Sequence, residues 1–254
     1  MKLFSRRFTT SVGVGLFWLA LWILAARAIG SELLLPAPGL VVRRLIELVV
    51  TPAFWHTVAC TLLRVLVGIL SATVLGVLLA VLTEKSPLLK ALFSPVMTLV
   101  KSTPVASFII LALIWLGRGV LPAFISALMV LPVVWANVSA GIAAQDPQLL
   151  ELAQVYGFSR AKVLRLITVP TVLPHFRSAL SSALGLGWKA GIAAEVLTVP
   201  QNSVGKMIFE SKLYLETTSL FAWTLTVILL SLVIERILLR LVGRIGRKEG
   251  QNHA

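Results

Sequence analysis

From Gly119 to Gln145 the chain carries no charged side chain. That one stretch exceeds the roughly 20 apolar residues needed to cross the hydrocarbon core of a bilayer. Similar runs lie over Thr9–Ala26, Val65–Thr83 and Thr217–Ile234. Apolar residues make up 58% of the 254 and charged residues 13%, whereas a soluble domain is about a quarter charged. No water-soluble core of this size hides so much apolar surface, so the excess must face lipid. The sequence therefore describes an all-α polytopic membrane protein, one domain over residues 1–254. Six spans are expected, over about 9–29, 57–83, 93–117, 119–144, 176–199 and 217–238, with a long connection over 145–175.

Net charge is +13, which in a soluble chain would suggest nucleic-acid binding. Here the basic residues gather at span ends, so the expected partner is the lipid bilayer and not nucleic acid. Lys2, Arg6, Arg7, Lys85, Lys90, Arg160, Lys162, Arg165, Arg177 and the C-terminal basic cluster outnumber Arg27, Arg43, Arg44, Arg118, Lys206 and Lys212 on the other side. The richer side is the cytoplasmic one. Both termini are then expected in the cytoplasm. Ala26-Arg27-Ala28 has the small-x-small form of a signal-peptide cleavage site, but the apolar run before it is longer than a signal core, which favours a retained first span. Between spans one and two, Gly39 to Val50 reads as an amphipathic helix on the outer membrane face. One cysteine, Cys60, and three histidines leave no disulfide framework, no metal cluster and no expected cofactor.

The connection over 145–175 carries strong local signals. Asp146-Pro147 supplies an acceptor at the N-cap and proline at the first helical position. Leu149, Leu152, Ala153 and Tyr156 follow on one side of a helix. Gly157 stops it where a left-handed residue is needed, Ser159 caps a second helix expected through Ile167, and Val169-Pro170 is expected to end that one. A helix pair lying on the lipid surface is one use for such a segment.

Another use comes from a resemblance. Glu151-Leu-Ala-Gln-Val-Tyr-Gly157, then Ile167-Thr-Val-Pro170, resembles the "E-A-A, three residues, G, nine residues, I-x-L-P" loop of ABC importer permeases, with Leu152 in place of the first alanine and Val169 in place of the leucine. The likeness extends along the chain. Leu35-Pro36-Ala37-Pro38, Thr61-Leu-Leu-Arg64 to Gly68, Trp188 to Glu195 and Val204-Gly205-Lys-Met-Ile208 are similar to stretches of the sulfonate/taurine/nitrate-type permeases. The resemblance implies a six-helix permease whose loop residues Glu151, Ala153, Gly157, Ile167 and Pro170 couple it to an ATPase subunit present in two copies. It further implies a second permease chain, identical or different, and an extracytoplasmic solute-binding protein. A small solute, of which a sulfonate or nitrate anion is one candidate, would move inward by alternating access. Lys101-Ser-Thr-Pro104-Val-Ala106 departs from the apolar "R-x-I-P-x-A" of many relatives, so specificity is not carried over.

The chain has no G-x-x-x-x-G-K-[ST]; its one Gly-Lys pair, Gly205-Lys206, lacks the upstream glycine and the following hydroxyl residue. ATP hydrolysis is therefore assigned to a separate subunit, and no catalytic residue is expected here. Charges at membrane depth are costly and mark functional candidates. Lys189, Lys101 and Glu195 are the candidates for a translocation pathway, with Arg64 at a span end. Gly185, Gly187 and Gly191 around Lys189 equally suit close helix packing. The competing reading is a secondary transporter or channel working without an ATPase.

Overall fold

The computed structural model describes the backbone of residues 2–250 and the side chains of residues 13–237 and Arg240. Lys2, Arg6, Arg7, Arg244, Arg247 and Lys248 lie outside the described side chains. Every regular element among the described residues is a helix: α1 Lys2–Ile29, α2 Pro38–Val49, α3 Pro52–Lys85, α4 Pro87–Ser102, α5 Val105–Ala112, α6 Leu121–Ala143, α7 Pro147–Val155, α8 Arg160–Val163, α9 Val169–Thr198, α10 Val204–Leu213 and α11 Thr217–Gly250. A π-helical turn, Leu164–Thr168, joins α8 to α9.

The starts of these helices are written in local chemistry. Thr51, Ser86 and Ser203 each take a backbone N–H of the first turn on their side-chain oxygen, and proline follows the first two. Such caps satisfy donors that have no partner within the helix. Helix α2 is the amphipathic helix expected before the second span, with Val41 buried and Arg43 exposed.

Among the described residues, α3, α6 and Thr217–Ile237 of α11 are each long and apolar enough to cross a membrane, while Gly13–Ile29 of α1 is apolar but shorter. Helix α9 has the length, at 30 residues, but carries His175, Arg177, Lys189 and Glu195. The span expected over 93–117 is not one helix. Its chain turns by 104° between α4 and α5, because Thr103 precedes a proline and is held extended at φ −84° and ψ 132°. The hydroxyls of Ser102 and Thr103 donate to the carbonyls of Thr98 and Leu99 at 2.7 and 2.8 Å. The Leu99 carbonyl also accepts the Thr103 N–H at 3.1 Å, so the hydroxyls reinforce the closing turn of α4.

The core is a three-helix sandwich in which α6 lies between α3 and α9. Val65, Ile69, Val130, Val134 and Ala183 are all almost wholly buried at its centre. Two buried polar contacts pin the sandwich: Ser126 Oγ donates to the Gly187 carbonyl at 3.0 Å, and Trp135 Nε1 to Thr83 Oγ1 at 3.0 Å. Close approach of α9 depends on Gly191, where a Cβ would run into Ser126 and Val65; Gly185, by contrast, faces open space. Helix α1 stands at the edge, touching α2 and setting Trp22 6.0 Å from the ring of Phe221.

Gly191→Val overpacks this contact, at a cost of about 1–3 kcal/mol. The variant should still reach the membrane fraction, yet melt at lower temperature than the parent in detergent. An unchanged melting temperature would show that α9 does not rest on α3 and α6 at this point.

Candidate functional site

The long connection folds as its capping residues dictate. Asp146 Oδ1 accepts from the Gln148 N–H at 2.9 Å, and Pro147 opens α7. At the other end Phe158 N–H bonds to the Ala153 carbonyl at 2.8 Å and Gly157 N–H to the Gln154 carbonyl at 3.0 Å. With Gly157 at φ +63°, this is a complete Schellman closure, which a side-chain-bearing residue enters only with strain. Ala153 is 3% exposed. Leu149, Leu152, Tyr156 and Glu151 all face outward. Helix α7 therefore presents an apolar stripe with a carboxylate beside it, away from the protein's own core.

The second helix differs from the expectation. It does not end at Val169-Pro170; the chain stays helical from Arg160 to Thr198. Proline has no N–H and its ring clashes with the carbonyl four residues back. The π turn over Leu164–Thr168 lies immediately before Pro170 and supplies the wider register that a proline needs. Ile167 is half-buried in that turn and Pro170 is exposed. Thr168 Oγ1 donates to Gln145 Oε1 at 2.9 Å, tying the two ends of the connection together.

Of the interior charges, Glu195 is the one that is sealed, at 0% exposure. Its carboxylate accepts from Thr61 Oγ1 at 2.9 Å and from the Gly205 N–H at 3.2 Å, with Arg64 Nη1 at 3.4 Å. Thr61 Oγ1 in turn accepts from the Val204 N–H at 2.9 Å, and Ser203 Oγ from Lys206 N–H at 3.0 Å. The N-terminus of α10 thus has its first donors met by α3, α9 and its own cap. A carboxylate there also complements the helix dipole. Arg64 donates onward to the carbonyls of Gln201 and Asn202 at 2.7 and 3.2 Å. The turn it grips is strained: Val199, a β-branched residue, sits at φ 50°, beside Asn202 at φ 51°. Sequence reading found Glu195 and Arg64 separately but not that they meet. Thr61 and Arg64 lie three apart on one face of an apolar helix, and that spacing was the available signal.

Lys189 and Lys101 behave differently. Both are exposed on the isolated chain, and neither has a hydrogen bond or ion pair among the described residues. Lys189 does not pair with Glu195. It shares an open face of α9 with Ser178, Ser182 and Ala193, while Lys101 lies on α4 beside exposed Thr98 and Ser102.

Residues 72–247 match the family described as binding-protein-dependent transport system inner membrane component. The chain belongs to this family. Among its relatives, the taurine transport system permease protein TauC of Escherichia coli (strain K12) is 26% identical over 238 residues, covering 91% of this chain and 86% of the relative. The bicarbonate transport system permease protein CmpB of Synechococcus elongatus is 26% identical over 160 residues, 62% of this chain and 57% of that one. The nitrate import permease protein NrtB of Leptolyngbya laminosa is 28% identical over 148 residues, 57% and 52% of the two chains. Two solved structures share the fold: a bacterial ABC transporter involved in the import of the acidic polysaccharide alginate, with TM-score 0.55, 17% identity and 95% and 99% coverage, and an amino acid ABC transporter, with TM-score 0.54, 18% identity and 83% and 94% coverage. The inner-membrane component is thus a helical ABC importer permease, a transport subunit.

Removing one partner of a buried pair leaves an uncompensated charge, at a cost of about 3 kcal/mol or more. Arg64→Met should therefore lower the melting temperature of the permease and open the turn at residues 199–203 to proteolysis. Adding Glu195→Gln to the same chain should recover most of the loss. Equal stability of Arg64→Met and the parent would mean that the ion pair does not hold the turn.

Proposed function

We propose that this permease moves a small anion inward by alternating access, driven by a separate ATPase subunit that docks on α7. The observation that carries this reading is the exposed apolar stripe of Leu149, Leu152 and Tyr156 beside Glu151, on a helix capped at both ends and facing away from the bundle. An exposed apolar patch of that kind calls for a protein partner. Because helix continues from Arg160 to Thr198, a push on the α7–α8 loop reaches α9 through the π turn over Leu164–Thr168. Ala153 is the buried residue of α7, Gly157 sets its exit, and Ile167 and Pro170 belong to the π-turn region that carries the motion into α9.

The rest of the arrangement follows the same reading. Six spans, α1 and the bent α4–α5 pair each counting as one, leave both termini on the same side, and the excess of basic residues makes that side the cytoplasm. Two permease chains, two ATPase subunits and an extracytoplasmic solute-binding protein complete the importer. The open faces of α9 and α4 meet the partner chain across a hydrated pathway, where Lys189 and Lys101 keep their charge at lower cost than against lipid. A field of positive sign focused there favours anions, in keeping with bicarbonate and nitrate, and with the sulfonate of taurine, in the names of the relatives. Glu195, sealed behind α9, bounds the pathway and does not line it.

Two experiments on the complete importer test this. Gly157→Val forces a β-branched residue into a left-handed position; it should leave insertion and assembly intact while uptake per ATP hydrolysed falls at least about tenfold, and unchanged coupling would remove α7 from the mechanism. Lys189→Met should abolish most anion uptake in proteoliposomes while basal ATPase activity and assembly persist. Normal uptake in that variant would take Lys189 out of the pathway.

A further inference from the structure

At the coupling-loop end of the bundle, α3, α6, the π turn and α9 enclose an open-mouthed cavity of about 310 Å³. Val77 and Val81 of α3, Ile142 of α6, Leu164 of the π turn, and Val172 and Phe176 of α9 form its walls. Apart from Thr168, every residue lining it is apolar, and the Thr168 hydroxyl is committed to Gln145 Oε1 at 2.9 Å. A water needs two to four polar partners, and this wall offers none. The cavity is therefore a place for hydrocarbon, and the hydrocarbon at hand around a membrane bundle is a lipid chain.

The rim says which lipid. Val77, Val81 and Lys85 stand four residues apart, so they share one face of α3, and Lys85 ends both that stripe and the helix. Arg165 follows Leu164 in the π turn. Both cations are exposed, and neither has an ion pair or hydrogen bond among the described residues. The neighbouring carboxylate of Glu84 is taken by Lys90 at 2.9 Å. An apolar slot with one exposed cation a helical turn beyond Val81 and another next to Leu164 in the chain matches a phospholipid with net negative charge, and basic pockets between helices at the cytoplasmic face bind such headgroups.

We propose that this cavity is a binding site for one acyl chain of an anionic phospholipid, with its phosphate at Lys85 and Arg165, and that its occupancy regulates coupling. The regulatory half rests on the importer reading above; the binding half does not. The lipid chain fills the space beside the π turn, the one segment of the α8–α9 helix with a non-α register and the point where Thr168 ties α9 to the start of the loop at Gln145. A filled cavity holds that turn in place and lets a push on α7 pass into α9; an unfilled one lets the turn give.

The test uses the whole importer in nanodiscs of phosphatidylcholine, with and without phosphatidylglycerol. Native mass spectrometry counts retained lipid, and a photoactivatable phosphatidylglycerol maps contacts by peptide. The parent should retain phosphatidylglycerol and cross-link it within residues 77–85 and 160–176. Lys85→Gln with Arg165→Gln should weaken retention roughly thirtyfold, the factor expected of two cations at a charged lipid surface. Val81→Phe, which fills the slot and leaves both cations, should lose the cross-links and make ATPase activity insensitive to phosphatidylglycerol. The site is overturned if the double variant retains phosphatidylglycerol like the parent, or if those peptides cross-link only to a second copy of the chain. Retained lipid with ATPase activity indifferent to it overturns the regulatory half alone.

Discussion

A backbone amide or carbonyl without a partner costs several kcal/mol in hydrocarbon, and the shape of this permease follows from meeting that demand wherever a helix is interrupted. Continuous helix, with no proline beyond the first turn, does so by itself along α3 and α11. The interruptions are where side chains take over. At the turn between α4 and α5, Ser102 and Thr103 bond back to carbonyls one turn earlier. Near Pro170 and Pro174, the Thr171 hydroxyl donates to the Ile167 carbonyl at 2.8 Å, and the π turn absorbs the register change. At the start of α10, no local residue could satisfy all the free donors, and Thr61 and Glu195 reach in from two other helices. The break before α5, the π-turn region and the start of α10 each come with a named hydroxyl or carboxylate.

The Glu195 cluster has a wider mechanical effect. A sealed carboxylate shared by α3, α9 and α10 makes opening any of the three contacts expensive, since each leaves a charge or donor unpaired. The strain at Val199, of order 1–3 kcal/mol, is held by the same bonds. Together with the close contact at Gly191, this fastens α3, α6, α9 and α10 into one body. Conformational change is then left to the joints lacking such ties: the bent α4–α5 pair and the edge helix α1.

Apolar runs, caps and the loop motif made much of this legible in the sequence. The all-α class, the amphipathic α2, the start of α7 at Asp146-Pro147 and its stop at Gly157 depend on local chemistry, so reading a few residues suffices. What escaped depended on register or distance. Pro170 reads as a helix end, because the rule that proline stops helices says nothing of a π turn placed just before it. The break at Thr103-Pro104 was hidden in an apolar run whose hydropathy is the same bent or straight. Glu195 and Arg64 are 131 residues apart, and no spacing rule connects them. Lys189 and Glu195, six residues apart on one helix, look like related candidates; the fold turns one outward and closes the other in.

In the importer mechanism proposed above, where a push enters at the loop and Lys189 borders the pathway, that divergence bears on how the subunit works. Helix α9, whose 30 residues rise about 45 Å, begins at the π turn beside the coupling loop and ends at the Glu195 cluster. Its middle carries Lys189 on the open face and Gly191 on the packed one. A displacement entering at the loop cannot be dissipated at the far end, where buried bonds to α3 and α10 hold the helix. Nor can it be absorbed in the middle, where α6 and α3 leave no space at Gly191. The displacement must then appear as rotation of the whole fastened body, and Lys189 is carried with it. A lysine on the exposed face of such a body changes its surroundings when the body turns, while the sealed glutamate behind it does not. In that mechanism the lysine that meets solute and the groups that keep the body rigid sit on different sides of one helix.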